Sequence, residues 1–319
     1  MSHVNTILGS IHPDEMGVTS CHEHIFWGPS GWEYDPEWWF HTSKVFTKCV
    51  KDLAEYRDLG GRTIVEVSGI GLGRDVEFYR MMSRYSGVHV VLSTAFWADT
   101  GIYNYFRNKD IDYLEEFFVR ELTHGIGNTG AKAGVIKVGN SIFKFTELEK
   151  LVYRAAARAA KKVGCAIITH GTYWVPWETT EVFKSEGLDL SRVIVSHCEE
   201  ADAIDFERDK KLARMGCWVM YDNWGFLESW SPNHYVQADE IRADLAKKFI
   251  DAGFGDRLLL ANDVNLFRVG WQRTSPYTGT HGMEHLLRVG PPKFRRVGIK
   301  EDTFWRILTE NPKKVVPIQ

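Results

Sequence analysis

Residues 131–170 read AKAGVIKVGNSIFKFTELEKLVYRAAARAAKKVGCAIITH. Ala131–Val138 is a short, nearly continuous apolar run, the pattern of a strand buried on both faces. Thr146–Val163 follows helical spacing, and Thr146 with Glu149 three residues later forms a capping-box start. Cys165–His170 is again strand-like. A strand, a helix and a second strand in such short compass make a βαβ unit, which requires a parallel sheet. Both strands also end on side chains that chemistry can use, Lys137 and His170.

The same alternation runs outward in both directions. Strand-like runs cover Val18–Phe26, Arg62–Ser68, Val88–Phe96, Arg192–His197, Cys217–Asp222 and Arg257–Asp263. Helix-like runs cover Thr42–Leu59, Arg74–Tyr85, Asp110–Thr123, Glu178–Glu186, Asp202–Met215, Ala238–Ala252 and a last one from about Lys300 to before Pro317. Eight strands, each followed by a helix and with no linker, predict an α/β fold, a (β/α)8 TIM barrel filling residues 1–319 as a single domain. A doubly wound open sheet is the other solution. Residues 1–16 read as a short N-terminal extension, a hairpin over the barrel floor. Residues 264–299, with Pro291-Pro292, read as one long connection at the catalytic face.

Composition narrows the function classes. The 319 residues carry a net charge of −3, which gives no reason to expect nucleic acid or an anionic membrane as partner. No apolar run is long enough for a membrane span, and the first twenty residues lack a signal-peptide pattern. The five cysteines are widely spaced with no CxxC, as reduced thiols of a cytoplasmic protein would be. Many of the 12 tryptophans fall between regular segments, where they serve either the core or a pocket wall. Trp27 and Trp271 are two such candidates for the pocket.

Ligand-type residues close the strands. In Cys21-His22-Glu23-His24 the two histidines are two apart, so on a strand both point to one face and toward one metal ion. Lys137, His170, His197 and Asp263 end four further strands. In a barrel those ends lie together at the catalytic mouth. A lysine ending an apolar strand is either paired, with Asp263 or Glu66 as partner, or carboxylated by CO2 to a carbamate that can bridge two cations. The run Gly69-Ile70-Gly71-Leu72-Gly73 imitates a dinucleotide fingerprint, but its third glycine falls one residue early. A glycine-rich turn with Arg74 and Asp75 anchoring loop or helix is the better account.

In these residues the chain resembles the phosphotriesterase-like members of the amidohydrolase superfamily. The resemblance runs from His22-Glu23-His24 through residues 67–75, Lys137, Thr169-His170, Ser196-His197 and Asn262-Asp263 to Glu310-Asn311-Pro312. It implies a distorted barrel with two divalent transition metal ions, zinc first, with cobalt, manganese or iron as alternatives. By the resemblance His22, His24 and Asp263 hold the more buried ion. His170 and His197 hold the other, and carbamylated Lys137 and a hydroxide bridge the two. The hydroxide attacks, and Asp263 accepts its proton. Glu200 stands where relatives often carry a second carboxylate, as a further proton acceptor or simply a charge at a helix start. Family members commonly follow the strand-seven Asp with His or Arg; here Asn223 follows Asp222 and can do neither job. Trp97, ending strand three, faces the metals or packs in the core.

The expected activity is hydrolysis of a small-molecule lactone or carboxylic ester. Phosphotriester hydrolysis comes second, N-acyl amide hydrolysis third, and a non-catalytic binding protein on the same scaffold is the rival class. Tryptophans at the surface, with the family resemblance, suggest a homodimer.

Overall fold

Ile- and Val-rich runs become strands, and the amphipathic runs between them become helices, in the computed structural model, which describes residues 2–141, 144–200, 204–226, 238–269 and 282–319. An antiparallel hairpin of β1 (Val4–Thr6) and β2 (Gly9–Ile11) opens the chain. The barrel strands are β3 (Val18–Trp27), β4 (Gly61–Glu66), β5 (His89–Thr94), β6 (Ala133–Gly139), β7 (Ala166–His170), β8 (Val193–Val195), β9 (Trp218–Tyr221), β10 (Leu258–Leu260) and β11 (Asn265–Arg268). Around them lie α1 (Thr42–Asp58), α2 (Val76–Ser86), the single turn α3 (Asn104–Arg107), α4 (Ile111–Thr123), α5 (Glu147–Val163), α6 (Pro176–Ser185), α7 (Phe206–Arg214), α8 (Asp239–Phe249), α9 (His285–Arg296) and α10 (Glu301–Val315).

Neighbouring strands pair in parallel from β3 round to β10, and β11 pairs in parallel with β3. The eighth stave is therefore broken: β10 bonds to the seventh stave and β11 to the first. Across the break, Ala261 N donates to Tyr221 O at 3.3 Å, Asp263 N to His22 O at 3.1 Å, and His24 N to Val264 O at 2.9 Å. These bonds close the α/β TIM barrel. The expected strand Arg257–Asp263 is thus shorter than its sequence pattern, because the chain turns at Asp263, whose φ is +53°.

Two apolar layers form. One lies between strands and helices, where the small residues Ala155, Ala156, Ala159 and Ala160 let α5 approach the sheet. The other fills the lower lumen with alternate strand residues, among them Val65, Val91, Val135, Ile168, Met220 and Leu259. Val4, Met16, Val315 and Val316 complete that plug. Asn5 secures the hairpin beneath it, donating to Leu122 O and Ala133 O. The N-terminal extension is the floor-covering hairpin the sequence suggests. The capping box of Thr146 and Glu149 is present, and Gly164 ends α5 at φ +80°.

One reading needs correction. The stretch 264–299 is not one irregular connection, because its described parts contain β11 and α9. Pro291 and Pro292 lie inside α9. Proline's fixed φ suits a helix, and the buried face of Leu286, Leu287, Gly290 and Phe294 outweighs the donors they remove. The Gly69–Gly73 turn is structural: Gly69, Gly71 and Gly73 have positive φ, and a Cβ on Gly71 would meet Gly101 O at 2.2 Å. Arg74 grips Glu121 with two 2.8 Å bonds, and Asp75 caps α2.

Candidate metal centre and active site

Strand alternation lifts a ring of polar groups above the lumen plug. Lys137 follows Val135 by two residues, His170 follows Ile168 and Asp222 follows Met220, so each inherits the inward face, while Asp263 reaches the same mouth through the turn after β10. On β3 the register slips between Ser20 and Glu23. Cys21 consequently joins the apolar lumen while His22 and His24 both reach the mouth above it.

His24 Nε2 lies 3.2 Å and His22 Nε2 3.5 Å from Asp263 Oδ1. Their ligand atoms sit within 4.8 Å of one another, close enough to hold one ion. His170 Nδ1 faces His197 Nε2 at 3.0 Å, and Lys137 Nζ lies 3.2 Å from His22 Nε2. All six expected ligand residues therefore converge at one mouth.

The outer ring nitrogens are occupied, which fixes the inner ones. Asp222 Oδ2 accepts from His22 Nδ1 at 2.6 Å, and Asp222 Oδ1 accepts from His197 Nδ1 at 2.9 Å and from the His197 amide at 2.9 Å. His24 Nδ1 meets Ser68 Oγ at 2.9 Å, and Ser68 in turn bonds Glu66. With Nδ1 donating outward, Nε2 is the nitrogen that each of these rings turns inward. His22, His197 and Asp222 also lie close enough to suggest an ion. The 2.6 and 2.9 Å contacts to Nδ1 are hydrogen bonds, however, and leave no room for one.

Lys137 is 1% exposed, and among the described residues no carboxylate pairs with it at ion-pair distance. The expected partners, Asp263 and Glu66, act only through their field. Burial pushes its amine down to about 8. Burial and Lys137 lower His22 to about 4. For His197, burial works downward but Asp222 and Asp263 lift it to about 9. Burial would raise Asp263, yet the His22, His24 and His197 rings hold its carboxyl well below the ordinary range. Four imidazoles, a carboxylate kept ionised and a buried amine without a counter-ion form a donor set that fits divalent transition metals.

A pocket of about 410 Å³ opens over this mouth. Trp97, Trp27 and Asn223, the expected pocket residues, line it, and so does Glu200. Trp97 stands edge-on to His170 at 5.2 Å. Asn223 Nδ2 donates to Asp263 Oδ2 at 3.5 Å. Trp271 lies outside the described residues. Sequence reading missed Arg268, which lines the pocket with its guanidinium 4.4 Å from the Trp27 ring centre. No sequence signal marks it, because Arg268 falls in the stretch read as a long connection; only the pairing of β11 with β3 sets it opposite Trp27. Sequence reading also missed Glu23, which turns away from the pocket mouth. Glu23 Oε1 accepts from Asn262 N at 3.0 Å and Asn262 Nδ2 at 2.9 Å, and Oε2 from Val264 N at 2.9 Å. That latch holds Asp263 from both sides.

The phosphotriesterase family pattern matches residues 2–316. The chain belongs to the phosphotriesterase family. It is 28% identical to an N-acetyltaurine hydrolase of Danio rerio, over 98% of this chain and 97% of that protein, and 27% identical to that of Bos taurus with the same coverage. A solved structure, from work on engineering organophosphate hydrolysis from a weak promiscuous lactonase template, superposes with a TM-score of 0.88 at 26% identity. It covers 98% of this chain and 99% of that one. Family and relatives make the chain a hydrolase, and the His22, His24 and Asp263 cluster is one that could hold a metal ion. No helix among the described residues is long and apolar enough to cross a membrane.

Proposed function

We propose that the chain is a binuclear metal-dependent amidohydrolase that cleaves a small N-acyl amide bearing an anionic group. The observation that carries the metal chemistry is the convergence of His22, His24, Asp263, His170, His197 and Lys137 beneath one pocket. The anionic amide rests on Arg268 in the pocket wall, and it agrees with relatives named for N-acetyltaurine.

His22, His24 and Asp263 would hold one ion, and His170 and His197 the other, with zinc the first choice for this nitrogen and oxygen set. When bound, such a pair supplies a water acidified to near neutrality and Lewis acidity toward the carbonyl oxygen. The depressed amine of Lys137 supports carbamylation: the ammonium first gives up a proton, and the neutral amine then adds to CO2, forming an N–C bond and releasing a second proton. The product is an anion among imidazoles where a cation stood.

Asp263, ionised at the pocket floor, takes the proton of the attacking water. It returns that proton to the amine nitrogen as the C–N bond breaks, because an amide nitrogen leaves only when protonated. Asn223 orients Asp263; Glu200 on the wall can take the second proton, the one given up when a fresh water replaces the water consumed. Arg268, braced on Trp27, pairs with the anion and sets which end of the substrate faces the floor.

Lactone hydrolysis is the second reading, favoured by the likeness to the lactonase template. A kinetic panel separates them: N-acyl aminosulfonates and amino acids, neutral N-acyl amines, graded lactones, aryl esters and an aryl dialkyl phosphate, on zinc- and cobalt-loaded enzyme. Anionic amides should lead, and Arg268→Gln should raise their KM about tenfold or more while sparing the neutral ones. A panel led by lactones, or turnover indifferent to chelation, rejects the proposal. Lys137→Ala should lose most activity and regain part of it with a short carboxylic acid; full activity without the acid rejects the carbamate.

A further inference from the structure

Asp222 is not among the six ligand residues, yet it touches both halves of the site. Its carboxylate is fully buried at the end of the seventh stave. Oδ2 reaches across the mouth to His22 Nδ1 on the first stave at 2.6 Å. Oδ1 takes His197 Nδ1 and the His197 amide, after the sixth stave, at 2.9 Å each. A carboxylate is a rigid plane, so neither oxygen moves without the other. The support of His24 is separate, running through Ser68 to Glu66.

We propose that Asp222 is the common positioning residue of both metal ions, so that one carboxylate outside the ligand set governs the retention of two ions. The inference rests on the binuclear reading above. It adds that the two ions share one anchor, whereas Ser68 serves only the ion held by His22, His24 and Asp263.

Three substitutions have distinct consequences. Asp222→Ala removes both acceptors and frees both rings to turn or to change tautomer. Asp222→Asn keeps one oxygen. His197 offers two donors and His22 one, so the oxygen goes to His197 and the amide NH2 faces His22 Nδ1. A donor there drives His22 to the tautomer protonated on Nε2, which cannot bind metal. Ser68→Ala removes the support of His24 alone.

The test is calorimetric titration of metal-free protein with zinc, with circular dichroism confirming the fold of each variant. Wild type should take two ions. Asp222→Ala should weaken both by about 10–100-fold, the usual effect of losing a partner behind a ligand. Asp222→Asn and Ser68→Ala should each weaken one ion. If Asp222→Ala leaves either ion at wild-type affinity, the shared anchor is wrong. If that variant does not fold, Asp222→Asn decides: two unchanged ions overturn the proposal, and one weakened ion supports it. A wild type that takes fewer than two ions fails the binuclear reading instead, a result distinct from these.

Discussion

His197 is lifted to about 9 by Asp222 and Asp263 against the downward pull of burial, and so it carries a proton through neutrality when no metal is bound. A metal must displace that proton from Nε2. Apparent zinc affinity should therefore rise with pH, by up to about tenfold per unit, and level off near pH 9. Competition titrations at pH 6.5, 7.5 and 8.5 on metal-free protein check this; a flat profile would show His197 neutral throughout. The candidate ligands were legible because strand ends were legible: parity along each strand carries Lys137 and His170 to one face. Their supports were not. Nothing local marks Asp222 as partner to His22, 200 positions away. Nor does anything announce that His197 adopts φ +59° and Asp263 φ +53°, backbone states unusual for side-chain-bearing residues. Lys137 shows the limit from the other side. Its burial was evident from the sequence, but which carboxylate would pair with it was not, and neither candidate lies within pairing distance.

At the level of elements, the eighth stave departs furthest from its sequence pattern. A continuous apolar run ending in Asp263 reads as one strand, but only β10 pairs with β9, and β11 resumes against β3. Periodicity reports burial, and the turn between the two halves is buried too, so the pattern does not change at the break. The break depends on Glu23, the residue between the two metal-facing histidines. Its carboxylate satisfies the amides of Asn262 and Val264 and the Asn262 side chain. Glu23→Gln keeps one acceptor and presents an NH2 donor where the other was accepting. We expect a loss of about 1–3 kcal/mol from the buried donor left unpaired, with zinc affinity falling as well because Asp263 loses its grip. Thermal melts of metal-free protein read the first effect and zinc titration the second. A lower melting temperature with unchanged zinc affinity would mean the latch serves only the fold. The helices were easier to read, because caps such as Thr146–Glu149 and Asp75 are local chemistry. The proline pair in α9 misled because packing against a buried face overrides propensity.

Over the whole molecule, the barrel separates fold from chemistry along its axis. The lower lumen is an apolar plug closed by the N-terminal hairpin and the end of α10. The upper lumen holds imidazoles, a buried amine and carboxylates. The plug and the helix layer account for the folded chain without any ion, so removing metal should leave the fold standing. Ions bound by the native arrangement of the six proposed ligand residues, which the unfolded chain lacks, would raise its stability by mass action. Two ions, each at about a hundred times its dissociation constant, would add about 5 kcal/mol. For a chain of this length that is a rise of about 8 °C in melting temperature. Scanning calorimetry of chelated protein at graded zinc measures it, with far-UV circular dichroism recording the fold of the chelated form. Native helix content without metal, together with a melting temperature that climbs with free zinc, is the expected outcome. Loss of helix on chelation would make the metals part of the fold and the lumen plug insufficient, and a melting temperature indifferent to zinc would mean that the ring of ligands does not close on an ion.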